Sequence, residues 1–306
     1  MRAGSRLHAG FYYAAGDWSV RWGSAGFYVN EPALEAEFGP ADEPCYEGPQ
    51  DLRGYVERAA VALGLRGFCA RIARAPPIHS GFGVGTQVSL AAYRGLQEAL
   101  GVSPDPAPVA AERLGRSRVS GVGSLLFEQG GFIMDAGMPG RPRSLLRLHV
   151  PERWRFVVVL PEVERGLDEE EEDMVMARLQ WGAPADLLAS MAEGALRLAS
   201  GIAREDVDDA IEGLRTLQRA TGAFFSRVQG GVYRGPLTRL AAEAWKHRMF
   251  LAQSSWGPAM YTIAEDELSA RGDADLLRET MAEVGLRGRV LVALPRNVGA
   301  ELRPAG

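Results

Sequence analysis

The sequence predicts a mixed α+β fold in two domains, and three observations carry that prediction. Strand-like segments alternate with stretches of helical spacing along the whole chain, the pattern of packed sheet and helix layers. The texture changes near residue 150, where a run of strand formers, Trp154 to Pro161, follows a long glycine-rich stretch. With 306 residues, 46% of them hydrophobic and 24% charged, the chain can fill two cores of ordinary domain size. The expected division is 1–150, bearing a glycine-rich loop, and 151–306.

Taken in order, residues 6–13 and 24–31 read as extended segments joined by a Gly/Trp-rich turn, and Asp51 to Leu63 has apolar residues at helical spacing. Phe68, Ala70 and Ile72 alternate with Arg71 as a strand does, and Pro76 and Pro77 stop it. From Thr86 to Leu100 the pattern is helical, with Gly101 as its stop. A second glycine-rich stretch, Gly115 to Gly137, ends in a strand around Phe132 to Met134. Beyond Pro161 the chain predicts amphipathic helices to about His247, a strand at Ala259 to Ile263, a helix near Ala274 to Val284 and a strand at Arg289 to Leu294.

Composition narrows the function classes. A net charge of -5 without a basic cluster argues against a nucleic-acid partner. No apolar run is long enough for a membrane span, and Met1 to His8 lacks the core of a signal peptide, so the expectation is a cytoplasmic protein. Cys45 and Cys69 are too few for a disulfide framework or a thiolate metal site and read as ordinary thiols. Lys246 is the sole lysine, which leaves P-loop and Schiff-base chemistry almost without candidates; the arginines instead offer bidentate donors for phosphate and carboxylate. The acidic run Asp168 to Asp173 has two readings, a hard-cation site or the solvated start of a helix, and the second is expected because acidic residues complement a helix N-terminus.

The segment PPIHSGFGVGTQVSLA sets Gly81, Gly83 and Gly85 between a strand and a helix. Glycines let a backbone approach a ligand closely, and the first amides of the helix are donors aimed at an anion. Taken alone, this is either an anion site or a simple chain reversal. It is neither a Walker loop nor a dinucleotide fingerprint, since no lysine follows Gly85 and the spacing differs.

Three segments in order carry a family resemblance. The loop resembles the P-x3-G-L-G-S-S-A motif of the GHMP kinase superfamily. VSGVG (Val119 to Gly123), with Gly130 and Gly131, resembles its PSGxD segment, and SSWGPAMY (Ser254 to Tyr261) its C-terminal glycine motif. The resemblance implies an N-terminal domain like ribosomal protein S5 domain 2 and a ferredoxin-like C-terminal domain, with phosphates bound between them. Gly123 stands where kinases of this superfamily carry an aspartate that helps activate the substrate hydroxyl, and glycine cannot act as a general base. Within the superfamily, SRLHAGFYYAAG (Ser5 to Gly16), HSGFGVGTQ (His79 to Gln87), the stretch Gly115 to Gly137 and PEVERGL (Pro161 to Leu167) are most similar to β-ribofuranosylaminobenzene 5′-phosphate synthases.

That family joins phosphoribosyl pyrophosphate to 4-hydroxybenzoate or 4-aminobenzoate with loss of pyrophosphate and carbon dioxide, in methanopterin-type pterin biosynthesis. The resemblance therefore implies these small-molecule substrates, Mg²⁺ and a homodimer. The diphosphate is expected over Gly81, Gly83, Gly85 and Thr86, with Gly115, Arg116, Ser117, Ser120 and Gly121 closing over it and Gln87 as a further substrate-binding candidate. Arg116, in the matching GRS, is the charged candidate of its loop, and Arg118 reads as a surface charge. Arg6 and His8 are catalytic candidates for the ribose phosphate or the benzoate carboxylate, although His8 reads equally as a hydrogen-bonded core histidine. His79 either orients the aromatic substrate or serves as a hinge, Trp256 either stacks on the ring or packs between domains, and His149 and His247 read as structural. The family's aspartate after the first strand is replaced by Tyr13, with Asp17 nearby, so the metal ligands stay unassigned. An ATP-dependent kinase and a noncatalytic ligand-binding relative are the alternatives.

Overall fold

The computed structural model describes every residue except 16–19, 139, 168–170, 173, 176–182 and 303–306. Ten strands are described: β1 (Arg2–Ala15), β2 (Val20–Pro40), β3 (Cys45–Glu47), β4 (Phe68–Arg74), β5 (Phe132–Asp135), β6 (Ser144–Leu148), β7 (Arg155–Pro161), β8 (Ala252–Gln253), β9 (Met260–Ala264) and β10 (Gly288–Ala293). The described helices are α1 (Gln50–Ala62), α2 (Val84–Ala99), α3 (Ala107–Arg113), α4 (Val122–Gln129), α5 (Ala185–Ala203), α6 (Val207–Gln229), α7 (Leu237–Lys246) and α8 (Glu267–Glu283). The first sheet runs β3-β4-β2-β5-β6, with β1 pairing β2. The second is antiparallel, β10-β7-β9-β8.

β1 and β2 are longer than periodicity predicts because β2 is shared, pairing with β1, β4 and β5 along its length. Alternation along β1 buries Leu7 and Ala9 in the core and turns Arg6 and His8 to the other face, where the loop before α2 lies. In β7, Phe156 and Val158 enter one apolar core while Val157 and Val159 enter a second. That division explains why the strand reads as a continuous hydrophobic run.

The expected halves interlock. Helices α5 and α6 cross with backbones in close contact at glycines, since a Cβ on Gly194 would lie 2.4 Å from Leu217 N, and they pack on β1. There the Phe11 amide donates to Thr221 Oγ1 at 3.0 Å. After β10 the chain returns to the first sheet, where Gly131 N donates to Arg296 O and Arg296 N to Tyr28 O.

Several elements differ from the sequence reading for local reasons. α2 begins at Val84, two residues early, because Gly83 adopts the left-handed conformation that lets the loop turn directly into helix. Within the second glycine-rich stretch, Val122–Gln129 forms α4, ended by Gly130 at φ 66°. α8 begins at Glu267, well before Ala274, because Asp266 caps it by accepting the Ser269 amide at 2.8 Å. Among the described residues, no helix is long and apolar enough to cross a membrane.

Candidate active site

The glycine motifs meet in space at one seam. Ser254 Oγ donates to Gly81 O at 2.7 Å and accepts the His8 amide at 2.9 Å. The Ala259 amide donates to Ser80 O and the Gly166 amide to His79 O. A Cβ on Gly257 would sit 2.1 Å from Gly81 N, so this backbone contact admits only glycine. The loop before α2, the PEVERGL turn and the C-terminal glycine segment, far apart in sequence, thus hold one another.

Against this seam lies a cavity of about 410 Å³. The loop and the first turn of α2 form its floor through Gly81, Gly83, Gly85 and Thr86, and Gly115, Arg116, Ser117 and Ser120 cover it. Arg6 and His8 close the deep end, and His79 and Trp256 line the side formed by the seam. Gln87 and Gly121 do not reach it. The Gln87 amide is buried behind the floor, accepting from Tyr28 Oη and donating to Gly123 O at 3.1 Å. Gly121 points its amide to Asp135 Oδ2 at 2.8 Å.

The charged groups around this space have physical reasons for their state. Arg116 stacks over the Tyr55 ring at 5.6 Å and donates to Thr86 Oγ1 at 3.2 Å, and burial lowers its guanidinium to about 10. Arg6 lies against Gly83, and its Nε has no hydrogen-bond partner among the described residues. Burial lowers it too, with Glu172 pulling the other way. Burial, reinforced by Arg6, holds His8 well below the usual imidazole range, so it is neutral. His8 lines the cavity and is only 3% exposed, but its Nε2 has no hydrogen-bond partner among the described residues, so it is not the hydrogen-bonded core histidine of the alternative reading. Trp256 packs in a T-shaped pair with Phe225 at 4.9 Å, as the packing reading expects, and it also lines the cavity.

Sequence reasoning missed four residues. Arg118, read as a surface charge, is exposed but lines the cavity mouth. Of the acidic run, Asp168 to Glu170 and Asp173 lie outside the described residues; Glu171 pairs with Arg165 at 3.1 Å. Glu172 corrects the solvated-helix expectation, because it lines the cavity and accepts from Trp256 Nε1 at 3.1 Å. Tyr55 was invisible because its role is to stack under Arg116 from α1. Asp135 lies behind the cavity, accepting from the amides of Ser24, Gly121 and Gly137 and from Ser24 Oγ. Ser24 Oγ also meets Ser120 Oγ at 2.6 Å, so this buried carboxylate anchors the cover loop. Burial raises it despite those donors. Of the residues replacing the family's first-strand aspartate, Tyr13 pairs in register with Trp22 in the hairpin, and Asp17 lies outside the described residues.

Among the described residues no cluster of three His, Cys, Asp or Glu side chains forms a metal site. Glu172 is the only carboxylate among the cavity's described lining residues. At the position where the resemblance to GHMP kinases implies an aspartate there is Gly123, whose Cβ would lie 3.4 Å from Thr86 Cγ2. The arrangement can bind a polyanion through helix amides and arginines, but it offers no base at that position.

No family model matches the chain. It is 26% identical to the beta-ribofuranosylphenol 5′-phosphate synthase of Methanothermobacter thermautotrophicus, over 97% of this chain and 96% of that protein. To the enzyme of the same name from Archaeoglobus fulgidus it is 24% identical, over 99% and 98%. Among solved structures it is similar to homoserine kinase from Cytophaga hutchinsonii, with TM-score 0.70, 15% identity and coverage of 98% and 95%. Mevalonate pyrophosphate decarboxylase from Streptococcus pyogenes gives TM-score 0.68, 9% identity and coverage of 98% and 97%. The chain is thus similar to the beta-ribofuranosylphenol 5′-phosphate synthases over nearly the whole of both chains, and it has the fold of the GHMP kinases.

Proposed function

We propose that the protein transfers a phosphoribosyl group from phosphoribosyl pyrophosphate to the ring of a 4-substituted benzoate, releasing pyrophosphate and carbon dioxide. One observation supports this above the rest. A cavity built around a helix N-terminus and three arginines carries no carboxylate at Gly123, so it suits a departing diphosphate better than activation of a hydroxyl. The relatives are named for a phenol product, which makes 4-hydroxybenzoate the first acceptor to try and 4-aminobenzoate the second.

In this reading the amides of Val84 to Thr86 and the Arg116 guanidinium hold the diphosphate and stabilise its growing charge. Arg6 takes the phosphate or carboxylate at the deep end, where its burial is relieved by an anion. Neutral His8 accepts or donates a hydrogen bond there without adding charge. Tyr55, Phe11 and Trp256 exclude water from the cationic sugar carbon that develops as the diphosphate leaves. Were Mg²⁺ to bind, Glu172, the one carboxylate among the described lining residues, would hold it together with the phosphate oxygens of the substrate. When bound, it would neutralise diphosphate charge. We further propose that the chain works as a homodimer, which light scattering on the purified protein checks.

The test is incubation with Mg²⁺, phosphoribosyl pyrophosphate and carboxyl-labelled 4-hydroxybenzoate or 4-aminobenzoate, beside ATP with candidate alcohols. Labelled gas together with pyrophosphate is the expected result. ADP without gas would transfer the assignment to a kinase, and binding without turnover to a noncatalytic relative.

A further inference from the structure

Away from the cavity, the chain's only two cysteines meet. The parallel register of β3 and β4 sets Cys45 directly opposite Cys69. Residues paired in register share a face of the sheet, and neighbouring strands lie about 4.8 Å apart. A disulfide bridges Cα separations of roughly 4.4–6.8 Å, so the two backbones need not move to accept one. On the same face, the next pair in register is Glu47 and Arg71, an ion pair at 3.6 Å that helps fix the alignment of the short strand. Cys45 is exposed and Cys69 is half-buried.

We propose that Cys45 and Cys69 form a dithiol modification site, oxidised reversibly to a cross-strand disulfide by small-molecule disulfides. The exposed Cys45 thiolate attacks one sulfur of the small disulfide, giving a mixed disulfide and releasing one small thiol. The Cys69 thiolate then displaces the second small thiol as the S–S bond between β3 and β4 forms. The protein loses two hydrogens, which leave on the two released thiols, and the small disulfide is the species reduced. The neighbouring Cys45 pushes the Cys69 thiol up, so the exchange quickens as pH rises.

The bond would fasten an edge strand of only three residues. β3 leads into α1, which carries Tyr55 beneath Arg116, and β4 leads into the loop containing Gly81. Oxidation thus ties together the two segments that enter the cavity from this side.

The experiment treats the full chain with hydroxyethyl disulfide at mildly alkaline pH, then counts alkylatable thiols and measures intact mass. Wild type should lose both thiols and two hydrogens in mass, stay free of cross-linked chains on a non-reducing gel, and melt at a higher temperature until reduced. C45S and C69S should each keep one mixed adduct and show no rise in melting temperature. Two stable adducts on wild type would overturn the proposal. So would cross-links between chains, or inert thiols that react once the chain is unfolded in guanidine.

Discussion

Arg116 is held from two directions, by the Tyr55 ring below and the Thr86 hydroxyl beside it, before any ligand arrives. A donor preorganised this way is worth most when charge grows on the departing group. Arg116→Ala should therefore lower kcat/KM for phosphoribosyl pyrophosphate by about a hundredfold to a thousandfold while leaving the circular dichroism spectrum unchanged. Arg116→Lys should recover only part of the loss, because an ammonium has no planar fork to stack and bridge. Equal activity of wild type and alanine variant would remove Arg116 from the mechanism. His8 makes a different kind of prediction. Its folded pKa lies below the unfolded value of 6.5, so the unfolded chain binds the proton more readily. This contribution to stability is complete above pH 6.5 and is lost as pH falls below it, with a slope of up to about 1.4 kcal/mol per pH unit. His8→Gln should flatten the acid limb of a denaturant-midpoint profile between pH 6.5 and 5, and an unchanged limb would assign it to other groups.

At the scale of elements, two glycines separate contact from chemistry. Gly257→Ala puts a methyl 2.1 Å from Gly81 N and 2.2 Å from the Ser80 carbonyl carbon. Both neighbours are backbone, so the loop before α2 must move away from the seam. Pyrophosphate affinity measured by calorimetry should fall at least tenfold, and stability should drop by about 1–3 kcal/mol as the segment overpacks. Gly123→Ala faces only ordinary contact with Thr86 and lies inside α4, where alanine favours the helix by roughly 1 kcal/mol. It should melt at or above the wild-type temperature, and a large loss there would contradict this packing. The same two positions show what was legible in the sequence. The loop and its helix could be read because glycine spacing and helical periodicity are local signals. The seam could be recognised as a motif, but its reason, one backbone lying on another, depends on segments more than 170 residues apart. Glu172 and Tyr55 were missed for a related reason. An acidic helix start and an amphipathic helix have the same local pattern whichever way their side chains eventually face.

At the scale of the molecule, the division expected near residue 150 describes the two sheets better than it describes how the chain holds together. Helices from the second half cover β1, and the last strand returns its tail to the first sheet. No periodicity marks that tail, because 294–301 pairs piecemeal, with an amide here and a carbonyl there. Backbone bonds join Leu294 to Asn30, Arg296 to Tyr28 and Gly131, Ala300 to Phe127, and Glu301 to Arg2 in both directions. The Asn297 side chain adds reciprocal bonds to Val150 at 2.8 Å, which pin the start of the crossing into the second half. A hydrogen bond contributes about 1 kcal/mol net, and a donor or acceptor left buried and unpaired costs about 1–3 kcal/mol. Removing 294–306 would break six backbone bonds at once, a loss comparable to the whole stability of a typical domain, about 5–15 kcal/mol. The truncated chain should therefore fail to give a cooperative melting transition, although both sheets and the cavity lining are encoded before the cut. Asn297→Ala, which removes only the side-chain pair, should stay folded and melt several degrees lower. A truncated chain that still melts cooperatively near the wild-type temperature would mean that each half closes its own core and the tail is an accessory.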